Sequence, residues 1–100
     1  MQHSLKEKGQ ASVLHVGGEL DAISSPELRP TIEALAHDER REITVDLSDL
    51  RLIDSSGVGA LVSLYKQARA NGGTVSFVGV AEQPLKVFKL LRLDRVFGLA

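Results

Sequence analysis

Apolar positions along the chain alternate between two spacings. Ser12 to Val16 is an apolar, β-prone segment, and the polar stretch before Gly9-Gln10 can pair back on it, so the chain is predicted to open with two antiparallel strands, His15 lying in the second. Ser24-Ser25-Pro26-Glu27 then reads as a helix start. Ser25 suits the cap, Pro26 suits the first helical position, and Leu28, Ile32 and Leu35 recur at helical spacing until the pattern fades near His37 to Arg40. The β-branched run Ile43 to Leu47 predicts another strand, and the polar Ser48-Asp49 leads through Leu50, Leu52 and Ile53 to Asp54.

Ser55 and Ser56 offer hydroxyl caps to a helix predicted over Gly57 to Ala70, which stops at Asn71-Gly72-Gly73. A strand over Thr74 to Val80 follows. After Gln83-Pro84 comes a helix carrying Leu85, Phe88 and Leu91, and a short closing strand is expected near Arg95 to Phe97. Strands separated by helices of this length pair in parallel through right-handed crossovers. The fold class is therefore α/β, a small mixed sheet of about four or five strands with helices packed on it. No repeat, low-complexity tract or linker divides the chain, so residues 1–100 are expected to form a single domain.

Composition narrows the function classes. The chain is 43% hydrophobic, but its aromatics are only Tyr65, Phe77, Phe88 and Phe97, so an aliphatic core is expected. A net charge of −1 with scattered basic residues gives no electrostatic footprint for nucleic acid. There is no cysteine for disulfide, thiolate or redox chemistry. The polar residues Met1 to Gly9 lack the apolar stretch of a signal peptide, and no apolar run nears the roughly 20 residues needed to span a bilayer. These features set the expectation of a soluble cytoplasmic protein, without nucleic-acid binding or membrane insertion.

The candidate chemistry converges on Asp54-Ser55-Ser56-Gly57. A serine at a helix start ordinarily caps a backbone amide. Here the side-chain oxygens of Asp54, Ser55 and Ser56 cluster, Gly57 opens the backbone to close approach, and Gly59 keeps the first turn bare. A phosphate on a serine would meet free amides and the positive end of the helix dipole. It would also add about −1.5 to −2 charge beside Asp54, enough to repel a partner pressed against the turn. On a helical wheel Ala60, Leu61, Leu64, Tyr65 and Ala68, extended by Val58 and Val62, fill an arc of roughly 200°, wider than the roughly 100° of a core stripe. Either one edge of that arc is exposed, as Arg69 on the same edge favours, or a neighbouring helix covers Val58 and Val62.

Enzymatic machinery is not evident. Gly-x-Ser-x-Gly is missing, and His3, His15 and His37 fall at a terminus, in a strand and at a helix end. Gly57-Val58-Gly59 lacks the rest of a dinucleotide or Walker fingerprint. The histidines and carboxylates show no metal-ligand spacing. No catalytic residue, metal or cofactor is assigned.

Across nearly its whole length the sequence resembles the bacterial anti-sigma factor antagonists, the stand-alone STAS domains. The resemblance rests on Gly18-Glu19-Leu20-Asp21, on Val45-Asp46-Leu47 followed by Ile53-Asp54-Ser55-Ser56-Gly57-Val58-Gly59, on Tyr65-Lys66, and on Asn71-Gly72-Gly73 before a strand. It implies that Ser56, the serine directly before the glycine, accepts phosphate from an anti-sigma factor that is also a serine kinase. Unphosphorylated antagonist would bind that kinase and free the sigma factor, and a serine phosphatase would reset the modified form. It further implies that Asp21 and Asp54 flank the phosphorylation site, and that the turn and the following helix, through Ser55, Gly57, Val58 and Val62, contact the partner. Val58 stands where leucine is common in the family, and the end soon after Phe97 implies a short or missing terminal helix. Similar domains also serve in stressosomes, anion-transporter tails and lipid-transport assemblies, which leaves a constitutive assembly subunit as the alternative.

Overall fold

The computed structural model describes residues 1–39 and 41–99. Its elements are β1 (Gln2–Lys8), β2 (Ala11–Leu20), α1 (Ser25–His37), β3 (Glu42–Asp46), β4 (Leu50–Ile53), α2 (Ser55–Ala70), β5 (Thr74–Val78) and α3 (Glu82–Leu90). The opening hairpin forms as predicted, with β1 antiparallel to β2 and Leu5 opposite Leu14. The other pairings are parallel, and the sheet runs β1-β2-β3-β5 with β4 also on β2.

β2 is long enough to serve β3 and β4 in succession, besides pairing with β1. Its first half pairs with β3 from Ala11 to His15, and its end pairs with β4 from Gly18 to Leu20. Just past this exchange the β2–β4 pairing shifts register between Gly18 and Glu19, and Gly18 has φ +81° and donates its amide to the Asp49 carbonyl. A side chain at that φ would be strained, which explains the glycine. Both strands end beside one another at Leu20 and Ile53.

Period-2 alternation decides which face is covered. Leu14, Val45 and Phe77 lie in register across β2, β3 and β5 and are buried, joined in one core by Leu28, Leu35, Leu61, Leu64 and Phe88 of the helices. The opposite face carries Lys6, Val13, Thr44 and Ser76 in register.

Three local expectations are corrected. Ser25 is the first residue of α1, not its cap; Ser24 occupies the cap position, but its hydroxyl bonds within the preceding loop instead. Helix α2 begins at Ser55, two residues before Gly57, because Asp54 is its cap. Residues 95–97 form turns, not a strand. Phe97 is buried there against Phe77 (ring centroids 4.1 Å), Tyr65 (5.4 Å) and Phe88 (5.5 Å), so aromatic packing holds the segment where ladder bonds were expected. Helix α1 ends at His37, and Arg40 lies outside the described residues.

Candidate functional site

The site forms where β2 and β4 end and α1 and α2 begin. Asp54 organises it with one carboxylate. Its Oδ1 accepts the Gly57 amide at 3.0 Å, capping α2, and its Oδ2 accepts the Ala22 amide at 3.1 Å, tying the β2–α1 loop to the same helix start. Its own amide donates to the Leu20 carbonyl at 3.2 Å. The sequence explains this choice of cap: a carboxylate has enough lone pairs to serve two donors at once, which Ser55 or Ser56 could not do from inside the helix.

Gly57 is glycine for steric reasons. A Cβ on it would stand 2.5 Å from the Leu20 carbonyl oxygen and 2.8 Å from an Ile53 side-chain carbon. Neither backbone nor strand can yield that distance, so Gly57 lets α2 sit directly on the ends of β2 and β4. Gly57 itself is buried there. Val58 is similarly placed, 5% exposed in the core. Val58 is therefore covered, in the hydrophobic core, whereas Val62 is half-buried.

The β2–α1 loop is knotted by Asp21. Its Oδ1 accepts the amides of Ile23 and Ser24 at 3.0 and 2.9 Å and the Ser24 hydroxyl at 3.1 Å. The Ser24 amide and then its hydroxyl, favouring the charged form, hold the Asp21 carboxyl below the usual aspartate range. The single Ser24 hydroxyl proton is shared between that carboxylate and the Glu19 carbonyl at 2.9 Å. So constrained, the loop presents Ile23 to solvent, 88% exposed.

Two clefts flank this junction. The larger, about 620 Å³, separates α1 from α2; Ser56, Gly59 and Ser63 line it on one side, Ser25, Arg29 and Glu33 on the other. The smaller, about 260 Å³, is lined by Asp21, Leu52, Asp54 and Gln83 among others. Ser55 and Ser56 are both exposed at the first two positions of α2, where helical amides have no carbonyl four residues back. Of the two, Ser56 borders the larger cleft.

Ser56, Ser55, Asp54 and Gly57 are thus brought together with Asp21 through Ala22, while Val62 lies on the next turns of α2. The sequence reading did not single out Arg29, Ile23 or Gln83. Gln83, at the start of α3, pairs with β4 as a strand would: its Oε1 accepts the Ile53 amide at 2.9 Å and its Nε2 donates to the Ile53 carbonyl at 3.0 Å. Ile23 carried a weak signal, being an apolar residue outside the period of either adjoining element. Arg29 and Gln83 carried none, since each gains its place only when separate elements meet. Among the described residues there is no cluster of histidines and carboxylates able to hold a metal, and no helix is long and apolar enough to cross a membrane.

Comparison with known proteins places this geometry. The family described as "Mlab, STAS domain" matches residues 3–99. The chain is 32% identical over 78 residues to the anti-sigma-B factor antagonist of Staphylococcus aureus strain NCTC 8325 / PS 47, covering 78% of this chain and 72% of that protein. A crystal structure of an anti-sigma factor antagonist from Mycobacterium paratuberculosis superposes with a TM-score of 0.80 at 25% identity, over 96% of this chain and 81% of the other. The Bacillus cell fate determinant SpoIIAA in its phosphorylated form shares the fold, with a TM-score of 0.74 at 22% identity over 94% and 86% of the two chains. These matches show the family: the chain belongs to the STAS family, among the anti-sigma factor antagonists.

Proposed function

We propose that this protein is an anti-sigma factor antagonist that works by partner switching. Unphosphorylated, it binds an anti-sigma factor that is also a serine kinase, through the Asp54 turn and the exposed surface around it. The kinase transfers the γ-phosphoryl group of ATP to Ser56: the Oγ–P bond forms, the bond to ADP breaks, and the hydroxyl proton leaves to the kinase. The phosphoserine then repels the kinase surface, and a serine phosphatase restores the binding form. In this reading residues 1–100 act as one regulatory module in the cytoplasm, without an active site or cofactor of their own.

The observation that carries the proposal is the setting of Ser56. Its hydroxyl stands exposed at the second position of a helix whose start is locked by Asp54, bordering an open cleft. A kinase can reach it without unfolding the domain. The relatives support the same reading, since the Staphylococcus aureus protein is named an anti-sigma-B factor antagonist and the structure of SpoIIAA is of its phosphorylated form.

Incubation with the cognate kinase and ATP, followed by phosphate mapping, tests the assignment. Modification at Ser56 and none in Ser56→Ala is expected; phosphate elsewhere, with Ser56→Ala still a substrate, overturns it. Ser56→Asp is expected to weaken the kinase complex and Ser56→Ala to preserve it. The family resemblance leaves one second reading, a constitutive subunit of a transporter, lipid-transport or stressosome assembly. Stable co-purification with such an assembly, indifferent to substitutions at Ser56, would select it.

A further inference from the structure

The α1–α2 cleft pairs a modifiable hydroxyl with a cation. Ser56 enters from α2, and Arg29 lines the facing wall on α1. Among the described residues the Arg29 guanidinium makes no ion pair: those present join His15 to Asp49 and Arg41 to Glu7 and Asp38. Glu33, one turn further along α1 and lining the same cleft, is the natural helical partner of Arg29, yet the two are not paired. The α2 wall also has room, since a Cβ at Gly59 would meet nothing within 4 Å.

We propose that this cleft is an internal receptor for the phosphate on Ser56, with the Arg29 guanidinium as its counter-ion. The inference rests on the phosphorylation of Ser56 proposed above and adds what becomes of the phosphate afterwards. An arginine fork binds phosphate bidentately and stays charged at all working pH values. Ser25, at the first turn of α1 and lining the same cleft, supplies a hydroxyl donor. The phosphorylated protein would then be a closed conformer in which α1 and α2 are bridged across the cleft. A kinase surface that occupies the cleft in the complex is displaced by that bridge as well as by charge, so release has a steric component.

The other charged groups around the site act in the opposite direction. Glu33 from α1, Asp54 at the start of α2 and Asp21 in the β2–α1 loop are all carboxylates. Each would hinder the second ionisation of the phosphate, whose ordinary value is about 6. The α2 amides would assist it, but equally whether or not Arg29 is present. A lowering that disappears with Arg29 therefore reports the guanidinium.

The test uses full-length protein carrying phosphoserine at position 56, installed during synthesis so that no kinase is needed, and follows its ³¹P resonance against pH. The phosphate of the otherwise unaltered protein should ionise at least about half a pH unit lower than that of Arg29→Gln, as expected for an opposite charge within contact range. Arg29→Lys should retain part of the shift. Phosphoserine placed instead at position 55, which does not line the cleft, should titrate alike with and without Arg29. Identical titrations of the position-56 phosphate in both backgrounds would overturn the proposal, as would an equal Arg29 dependence at position 55, which would reduce the effect to a general field. Because the phosphate is installed chemically, failure of capture here is distinct from failure of the kinase to modify Ser56.

Discussion

The Asp54 carboxylate accepts the amide of Ala22 at 3.1 Å, across 32 residues of sequence, while its other oxygen caps α2 at Gly57. One side chain thus fixes two segments on which the proposed switch depends. Asp54→Ala removes both bonds and should destabilise the protein by about 1–2 kcal/mol, the ordinary cost of losing a helix cap. Chemical denaturation measures that loss. Amide exchange should show which bond matters to the loop, with Ala22 losing protection in Asp54→Ala; unchanged exchange at Ala22 would mean that the loop holds itself.

Two glycines of α2 should respond to alanine in opposite directions. Gly57→Ala forces a methyl against the Leu20 carbonyl at 2.5 Å and should cost about 1–3 kcal/mol. Gly59 is helical and its added methyl meets nothing, so Gly59→Ala should stabilise by about 0.5–1 kcal/mol. Paired thermal melts suffice. A stable Gly57→Ala would show that α2 does not rest on the ends of β2 and β4.

Asp21 makes the β2–α1 loop acid-sensitive. Its carboxyl is held below the ordinary aspartate value by the Ser24 amide, the Ser24 hydroxyl and the Ile23 amide. The folded group therefore binds its proton less tightly than the unfolded one. Its contribution to stability is complete above the unfolded aspartate pKa and is lost as pH falls through the lower, folded value. Carboxyl NMR should place the Asp21 midpoint below that of a free aspartate, and Ser24→Ala should raise it. An Asp21 titration indifferent to Ser24 would contradict the hydroxyl's part in the knot.

Gln83 substitutes for a strand at the open side of β4. Replacing it with alanine removes two bonds to the Ile53 backbone and should cost about 1–3 kcal/mol at roughly 1 kcal/mol or a little more for each. Faster exchange at the Ile53 amide, with the β2 amides protected as before, is the expected signature. Uniform loss of protection across the sheet would instead mark Gln83 as a support of the whole fold.

Phe97 closes the aromatic cluster. Its ring stacks on Phe77 at 4.1 Å and meets Phe88 edge-on at 5.5 Å. Phe97→Ala should destabilise by about 3–5 kcal/mol, as for other buried rings. A loss well under 1 kcal/mol would mean that residues 95–97 rest on the domain without contributing to its core.

Much of this architecture was legible because spacing survives without coordinates. The hairpin across Gly9-Gln10, the helical recurrence of Leu28, Ile32 and Leu35, and the stop at Asn71-Gly72-Gly73 all reflect local periods and local backbone preferences. The misplaced details share one cause. Ser25, Ser55 and Ser56 are good caps by type, but a cap is chosen by which oxygen meets the free amide, and Asp54 met the Gly57 amide while Ser24 was drawn into the Asp21 loop. Phe97 looked like strand because an aromatic among apolar neighbours is β-prone; rings from β5, α2 and α3 captured it instead.

The sequence by itself determined the α/β class, the strand-to-helix turn at Asp54-Ser55-Ser56-Gly57 and the family resemblance that selects Ser56, because each depends on residues adjacent in the chain. Tertiary structure decided the rest. Gly57 and Val58 became foundations instead of surface, since α2 settles on the carbonyl of Leu20. Arg29 came to line the same cleft as Ser56, 27 residues later in the chain, only because α1 and α2 pack side by side. Local spacing can specify a helix face, but which two faces enclose a cleft is fixed by packing alone.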